Sequence, residues 1–516
     1  DPYRDGGDVS DRPTIVVLDH GSRTSRLVTR RLRELGVFSE QLPADRTGDL
    51  RGVKDLAGII VSGGDGERPL DPAVFELERP ILAIGRGLGL LCAARGAVFE
   101  DDAPGESTVE TMLVESESPL LRGTPRQQQV GCDRGRHVVA VPDGFDVLAR
   151  LEIDGRVVVV ADEQRRLYGV QFHPEASTTE FGMQMLENFV RQVCAVGDAW
   201  DRRRFLDEQC DALARRTAGR RVLCPVSGGV DSLVAASLVQ RATAEQLTAI
   251  FVNTGLMRRH EPETVTHRLG QLLQGRLVTV DATDVFLDRL DGISDAEEKR
   301  RVIEDTFVDV LESAAREHGP FDDLVQGTLY PDRIEDDRSR PPHGYTDLPR
   351  AIRGLPERLG IEVLEPLAAL FREDVRAVGR ELGLPGDLLN RHPFPRSGLA
   401  IRVLGPVDRA SLERVRAADH VFLEELRNAD VYDRIWQAGC VLLPVATAGL
   451  EGDVRTYAQP VVLRAVTSTD AVTADWARIP DDVLARVSQR ILAEVDGITR
   501  VVYDISAKPP ATIEWE

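Results

Sequence analysis

Short runs of β-branched and other apolar residues alternate with amphipathic stretches along the first two hundred positions: TIVVLDHGS, RLVTRRLRELG, GIIVSGG, ILAIG, and later RVVVVADE and LYGVQFHPE. Unbroken apolar runs flanked by glycine read as strands buried on both faces, and the stretches between them carry helical periodicity. This pattern predicts an α/β layer domain with a mainly parallel sheet over residues 13–195. The charged stretch DAWDRRRFLDEQCDALARR reads as a helical bridge, after which the alternation restarts. RRVLCPVSGGVDSLVAASLVQRA reads as strand, loop and helix, and LTAIFVNTG and GRLVTVDA as further strands, so a second α/β domain is expected over 196–395. From RHPFPRSGLAIRVLG onward, charged helical stretches mix with extended runs and predict a small α+β domain over 396–516. The polar, proline-bearing stretch DDRSRPPHGYTD (336–347) reads as a mobile loop.

Composition narrows the partners more than the fold. A net charge of −21 argues against a general nucleic-acid binder, because that mode of binding needs surplus positive charge near phosphates. No apolar run approaches the roughly 20 residues that cross a bilayer, so no membrane partner is expected. The start, DPYRDGGDVSDRP, has neither the basic end nor the apolar segment of a secretory signal, and a cytoplasmic location is expected. Cysteines at 92, 132, 194, 210, 224 and 440 follow no ligand or disulfide spacing; buried thiols in a reducing compartment, and no zinc site, are expected. Basic residues are nearly all arginine, with lysine only at 54, 299 and 508, a bias that fits a GC-rich bacterial genome.

Two strand–turn–helix corners hold the candidate chemistry. In RPILAIGRGLGLLCA (79–93) a buried strand runs through glycines into a helix, the layout of a nucleophile elbow, yet position 85 is glycine. In VLCPVSGGVDSLVAA the strand ends at Ser227, and Gly228 and Gly229 allow successive N–H groups to turn toward one anion. The following helix adds the positive end of its dipole there. Ser227 and Ser232 can donate hydroxyls, and Asp231 can hold a Mg²⁺ ion that neutralises a polyphosphate. A serine-capped glycine turn would explain a bare SGG; the whole S-G-G-V-D-S favours pyrophosphate binding. No G-x-x-x-x-G-K-[ST] is present, which disfavours a Walker-type phosphoryl-transfer ATPase.

The loop resembles the signature of the ATP pyrophosphatases (adenine nucleotide alpha hydrolase-like), which adenylate a substrate oxygen and release pyrophosphate. The resemblance implies ATP and Mg²⁺ as cofactors, with Asp231, Ser227 and Ser232 as catalytic residues and Ser227, Gly228, Gly229, Val230, Asp231 and Ser232 around the ATP phosphates. Asn253, in FVNTGLMR, would border adenine; a buried strand end explains it equally well.

The order of motifs extends the likeness from residue 13 to 516. IVVLDHGSRTSRLVTRRLRELGV, YGVQFHPE, SGGVDS, QGTLYPDRIE, RHPFP and KPPATIEWE are similar to those of the GMP synthetase family. That resemblance implies a class I glutamine amidotransferase-like domain, an ATP pyrophosphatase domain and a dimerisation domain, and hence a homodimer. It also implies ammonia attack on adenylated xanthosine monophosphate. Lys508 and Thr512 would hold the phosphate of a small-molecule nucleotide substrate, with Glu514, Arg391 and His343 also at that substrate.

The departures are as informative. His173 and Glu175 of the glutaminase remain, but Gly85 stands where its cysteine belongs, with Arg86 beside it; Gly89 replaces a glutamine, and DRGR (133–136) a Ser-His-Gly-Asp stretch. Cys92 lies two helical turns away, roughly 10 Å, and cannot substitute, while a rescue by Cys132 would need an unusual fold. Removing such a nucleophile costs on the order of 10⁶ in rate. The glutaminase is expected to be dead, with His173 and Glu175 kept for packing. In the synthetase part, RPPHGYTDLP keeps His343, Leu348 and Pro349 but brings Tyr345 and Asp347. Arg396 and Ser397 replace a Gly-Pro, and Ala446 replaces an arginine. Neutral drift explains part of this; a rebuilt purine-facing shell explains the rest.

The leading expectation is an ATP-dependent ligase that adenylates a purine-type nucleotide, xanthosine monophosphate or a modified analogue, and uses ammonia or another amine, without glutaminase activity, in specialised nucleoside metabolism. An ammonia-only GMP synthetase is the alternative within that class. A non-catalytic nucleotide-binding or regulatory homologue is the alternative of another class.

Overall fold

Three of the predicted strands, β1 (Thr14–His20), β3 (Leu56–Gly63) and β4 (Ile81–Gly85), together with β2 (Phe38–Pro43), which the apolar pattern did not single out, form one side of a nine-stranded sheet. Between β4 and the second corner run β5 (Val98–Asp101), β6 (Thr108–Val114), β7 (Gln127–Cys132), β8 (Arg136–Ala140), β9 (Asp146–Leu151), β10 (Val157–Asp162) and β11 (Leu167–Val170). The sheet order is β2-β1-β3-β4-β11-β10-β9-β6-β7, and β5 pairs with β8 in a separate ribbon. The computed structural model describes residues 12–516 except 23, 65–67, 102–107, 133–135, 198–201, 244, 333–353 and 469–472. The loop at 336–347, His343, Tyr345, Asp347, Leu348, Pro349 and residues 133–135 of the DRGR stretch therefore lie outside the described residues.

The sheet is parallel from β2 to β11 and antiparallel from β11 to β7, so half of its pairings depart from the mainly parallel expectation. The physical reason is loop length. The connections at 152–156 and 163–166 are too short for the crossover that parallel neighbours require, and they close hairpins instead. Helices α1 (Ser25–Glu34) and α3 (Gly182–Asn188) bury Val28, Leu32, Met185 and Leu186 in one apolar cluster; α2 (Arg86–Ala93) buries Leu88 and Leu91 in another.

The chain divides into two compact units, residues 1–205 and 206–516, with the boundary inside α4 (Arg202–Arg216). The second unit opens with an all-parallel five-stranded sheet. Its strands β12 (Val222–Val226), β13 (Leu247–Asn253), β14 (Leu277–Asp281), β15 (Asp323–Val325) and β16 (Glu362–Leu364) lie in the order β14-β13-β12-β15-β16. From β12 the chain passes through α5 (Val230–Thr243) to β13, then through α6 (Glu261–Leu272) to β14. After α7 (Thr283–Leu290) it returns along α8 (Ala296–His318) to β15 on the far side of β12. The strand order thus reverses between β12 and β15, and ligands of open α/β sheets bind beyond the strand ends at such a point.

Helices α9 (Arg372–Glu381) and α10 (Arg409–Asn428) lead into a mostly antiparallel sheet, whose central β19 (Val454–Thr467) pairs with β17 (Gln437–Leu442), β18 (Thr447–Glu451), β20 (Asp475–Trp476) and β21 (Ile498–Tyr503). α10 and α11 (Asp481–Glu494) cover it, which is an α+β arrangement. One apolar cluster runs from Leu223 and Ile250 through Leu311 and Val415 to Leu463 and Val487, so residues on both sides of 396 share a core.

Candidate functional site

The first corner is built as its sequence reads. β4 ends at Gly85, whose φ of 59° and ψ of −125° turn the chain sharply into α2. His173 lies directly against it: a β-carbon built at position 85 would stand 2.9 Å from His173 Cε1 and 3.0 Å from Nε2. The imidazole therefore occupies the space that a side chain at 85 would enter. Its Nδ1 meets Glu175 Oε1 at 2.7 Å and lies 3.4 Å from the Thr24 hydroxyl. Glu175 is buried, and its Oε2 has no hydrogen-bond partner among the described residues. Burial pushes the Cys92 thiol up to about 12, which leaves it a packed apolar group two turns into α2. Cys132 ends β7, whose backbone bridges to Phe172, and packs in the apolar cluster beneath that corner.

The second corner differs in what faces it. Between β12 and α5, Ser227 and Ser232 place their hydroxyls 3.2 Å apart; Ser232 Oγ donates to the Gly229 carbonyl at 3.0 Å and accepts from the Ser227 N–H at 3.2 Å. Ser227 Oγ in turn accepts from the Gly229 N–H at 3.3 Å. These bonds fix the loop, while the first N–H groups of α5, at Val230, Asp231 and Ser232, have no acceptor within the helix itself. That is an anion cradle on a helix N-terminus. Asp231 stands beside it with Oδ1 buried and without a hydrogen-bond partner among the described residues. Partial burial raises its carboxyl above the ordinary range, and Arg372, whose Nη2 is 4.0 Å from Oδ2, works against that rise. A buried, unpartnered carboxylate oxygen beside a polyphosphate cradle fits a Mg²⁺ ligand.

The crevice between β12 and β15 adds residues that the sequence did not single out. Gly327 follows β15 and backs onto Asp231 and Ser232, 3.5 Å from the position its own β-carbon would take. Around it, Gln326 Nε2, Arg376 Nε and the 5%-exposed Thr328 hydroxyl are buried without partners among the described residues. Buried polar atoms are nearly always paired, so a cluster of unpaired ones at the strand ends marks a ligand position. Arg372, Arg376 and Arg396 all act on the Asp231 carboxyl as neighbouring positive charges. QGT directly after a short strand was the available signal; its weight depends on β15 lying next to β12, which no local pattern reveals.

A cavity of about 920 Å³ in the second unit is lined by Arg376, Arg391, His392, Trp436, Thr467 and Asp475, among others. Arg391 joins it to the loop: Nη1 donates to the Gly228 carbonyl at 3.2 Å, and Nη2 pairs with the buried Glu261. His392 stacks on Tyr432 with ring centres 3.7 Å apart, and burial pulls its imidazole down to about 4. Lys508 exchanges backbone hydrogen bonds with the cavity-wall residue Ala474, at 2.8 and 3.0 Å, so the KPPATIEWE segment borders the cavity. The other predicted residues are placed differently. Thr512 hydrogen-bonds the Glu514 carbonyl, and Glu514 holds the guanidinium of Arg402 through 2.9 and 3.1 Å contacts and meets Gln437. Arg402, 2% exposed, also pairs with Asp419, which takes Arg258 at 2.9 Å; the Phe394 ring lies near both arginines. Asn253 closes its own loop, accepting from the Gly255 N–H at 3.1 Å and donating to Asp281. Lys299 is wholly buried against the Val403 carbonyl and Glu516. The structure thus gathers Ser227, Gly228, Gly229, Val230, Asp231, Ser232 and Arg391, brings Lys508 to the cavity edge, and commits the Glu514 side chain elsewhere.

Fold and site together define an ATP pyrophosphatase-type carbon–nitrogen ligase joined to an amidotransferase-type domain. Residues 16–193 match the family described as Glutamine amidotransferase class-I, and residues 424–515 match GMP synthase C terminal domain. The chain is 44% identical over 519 residues to a GMP synthase (glutamine-hydrolyzing) of Symbiobacterium thermophilum, covering 98% of this chain and 99% of that one. It is 42% identical over 513 residues to the protein of the same name from Aquifex aeolicus, covering 98% and 100%. The chain belongs to the GMP synthase family.

Proposed function

We propose that the chain adenylates a carbonyl oxygen of a purine-type nucleotide, xanthosine monophosphate or a modified analogue, and that ammonia or another amine then displaces AMP, with no glutaminase activity of its own. The contrast between the two corners carries this reading. The loop at 227–232 keeps its hydroxyls, its helix N-terminus and an unpartnered carboxylate oxygen, whereas His173 packs onto a Gly85 that offers no nucleophile. Residues 13–195 then act as a degenerate amidotransferase domain, 196–395 as the synthetase domain, and 396–516 as the dimerisation and nucleotide-phosphate domain.

In this scheme the loop N–H groups, Ser227 and Ser232 hold the β- and γ-phosphates of ATP, and Asp231 holds the Mg²⁺ ion. When bound, that ion neutralises charge on the polyphosphate. Arg391 fixes the loop carbonyl beside the cavity, and Lys508 meets the nucleotide phosphate as a point charge. The amine comes from solution or from a separate protein. Exposed Leu450, Val454 and Tyr457 on the β18–β19 hairpin support a homodimer through the last domain. The changed residues around the purine support a role in specialised nucleoside metabolism, in the cytoplasm. A plain GMP synthetase that takes only ammonia is the second reading, favoured by the 44% identity over 98% of the chain.

The test is pyrophosphate release from Mg²⁺-ATP with xanthosine monophosphate and either ammonium or glutamine, with the nucleotide product identified by mass. Ammonium-dependent GMP formation at high rate selects the second reading. Ammonium-dependent turnover better supported by another purine nucleotide selects the first. Glutamine-dependent turnover overturns the glutaminase-free reading, and silence with every purine nucleotide turns the chain into a non-catalytic nucleotide binder.

A further inference from the structure

We propose that Arg464 is a positioning residue: paired with Asp504, it clasps the segment 506–513 and so sets Lys508 at the cavity wall. The proposal rests on the reading above in which Lys508 meets the nucleotide phosphate. Arg464 lies near the end of β19, and the parallel pairing of Leu463 with Tyr503 brings it beside Asp504, just past the end of β21. It is 5% exposed, and its Nη1 is 3.3 Å from Asp504 Oδ2.

The guanidinium spends its donors on the segment to either side of Lys508. Nη1 donates to the Ser506 carbonyl at 2.6 Å, Nη2 to the Thr512 carbonyl at 3.0 Å, and Nε to the Ile513 carbonyl at 3.4 Å. Asp504 repeats the tie with acceptors: it takes the Ser506 N–H at 2.9 Å and the Trp515 indole N–H at 2.9 Å. One ion pair thus holds both arms of the loop. Within it, the Ala511 N–H donates to the Ala507 carbonyl at 3.1 Å, and Lys508 is bonded through its backbone to Ala474 of the cavity wall. Ser506, Ala507, Pro509, Pro510 and Thr512 are exposed, and Ile513 alone in the segment is buried. A stretch that buries so little apolar surface takes its shape from polar ties. A buried ion pair adds little net stability of its own, so its effect falls on what it holds in place. An ammonium cannot replace the planar fork, because its point-like head does not reach carbonyls on both arms at once.

The full-length parent, Arg464→Lys and Trp515→Phe are titrated calorimetrically with xanthosine monophosphate and with the nucleoside xanthosine. The ratio of the two affinities reads what the phosphate contributes. That ratio is expected to fall about tenfold in Arg464→Lys, the scale of one charge-assisted contact, and by less in Trp515→Phe, with xanthosine affinity kept at the parent value. If Arg464→Lys melts below the titration temperature, Trp515→Phe alone decides. Equal ratios in parent and variants overturn the clasp. An equal loss for both ligands overturns it as well, because a purely structural role would loosen the whole cavity. A parent that binds xanthosine monophosphate no more tightly than xanthosine overturns the phosphate reading itself, and the clasp with it.

Discussion

The two strand–turn–helix corners, β4–Gly85–α2 and β12–Ser227–α5, share a local architecture and part company in what their neighbours do. Each has a buried parallel strand, a glycine-bearing turn and a helix whose N-terminus points out of the sheet edge. At the first, a histidine ring closes on the turn and is itself held by a buried carboxylate. At the second, hydroxyls tie the turn to itself, and Asp231, Gln326 and Thr328 carry buried polar atoms without partners among the described residues. A corner is thus only a scaffold. Both keep a buried carboxylate oxygen without a partner among the described residues, on Glu175 at the first and on Asp231 at the second, so what separates them is the group at the turn: a histidine ring against Gly85, or the Ser227 and Ser232 hydroxyls with the first N–H groups of α5.

The comparison breaks most sharply at Asp231. Asp231→Asn keeps the shape of the side chain and removes the charge; pyrophosphate formation is expected to fall on the order of 10²- to 10³-fold, read by single-turnover assay with the parent melting temperature retained. An unchanged rate would remove the second corner from the chemistry. Next comes the cavity wall at His392. Its neutral form is favoured by burial, so the unfolded chain binds the extra proton first as pH falls from 6.5 toward about 4. Stability is full above pH 6.5 and declines through that window by at most about 3 kcal/mol. Urea unfolding against pH should show that component in the parent and its absence in His392→Gln; parallel curves would mean that the stacked histidine titrates normally. The smallest effect is at the first corner. Gly85→Cys is expected to release no glutamate from glutamine and to destabilise by about 1–3 kcal/mol, because the new β-carbon presses on His173 at a positive φ. Glutamine hydrolysis by that variant would show that the first corner lacks only its thiol.

Much of this was legible along the chain. The buried strands of both corners were visible because parallel strands covered on both faces read as unbroken apolar runs, ILAIG and VLCPV. SGGVDS announced its chemistry because the loop, the cap and the helix start are local. The antiparallel half of the first sheet was obscured because apolar runs such as VVVVAD look alike in either orientation; only the short connections distinguish them. The crevice residues were hidden for a deeper reason. Gln326 and Thr328 matter because β15 returns to lie beside β12 after a long excursion, and strand order is not written in any window of sequence. Arg396, expected in the purine-facing shell, also lends its charge to Asp231 and Asp332. Lys299, noticed for its rarity, proved to be a buried strut.

The turn that carries Arg396 is unequal in what it tolerates. Two residues on, Gly398 adopts a φ of 63°, and a β-carbon there would fall 2.4 Å from the Leu256 carbonyl oxygen. Position 398 is closed to any side chain, while at 396 the chain already carries one of the largest, exposed to solvent. Mutational change in this turn is therefore channelled to position 396, where a new side chain meets solvent and leaves the close backbone contact at 398 undisturbed.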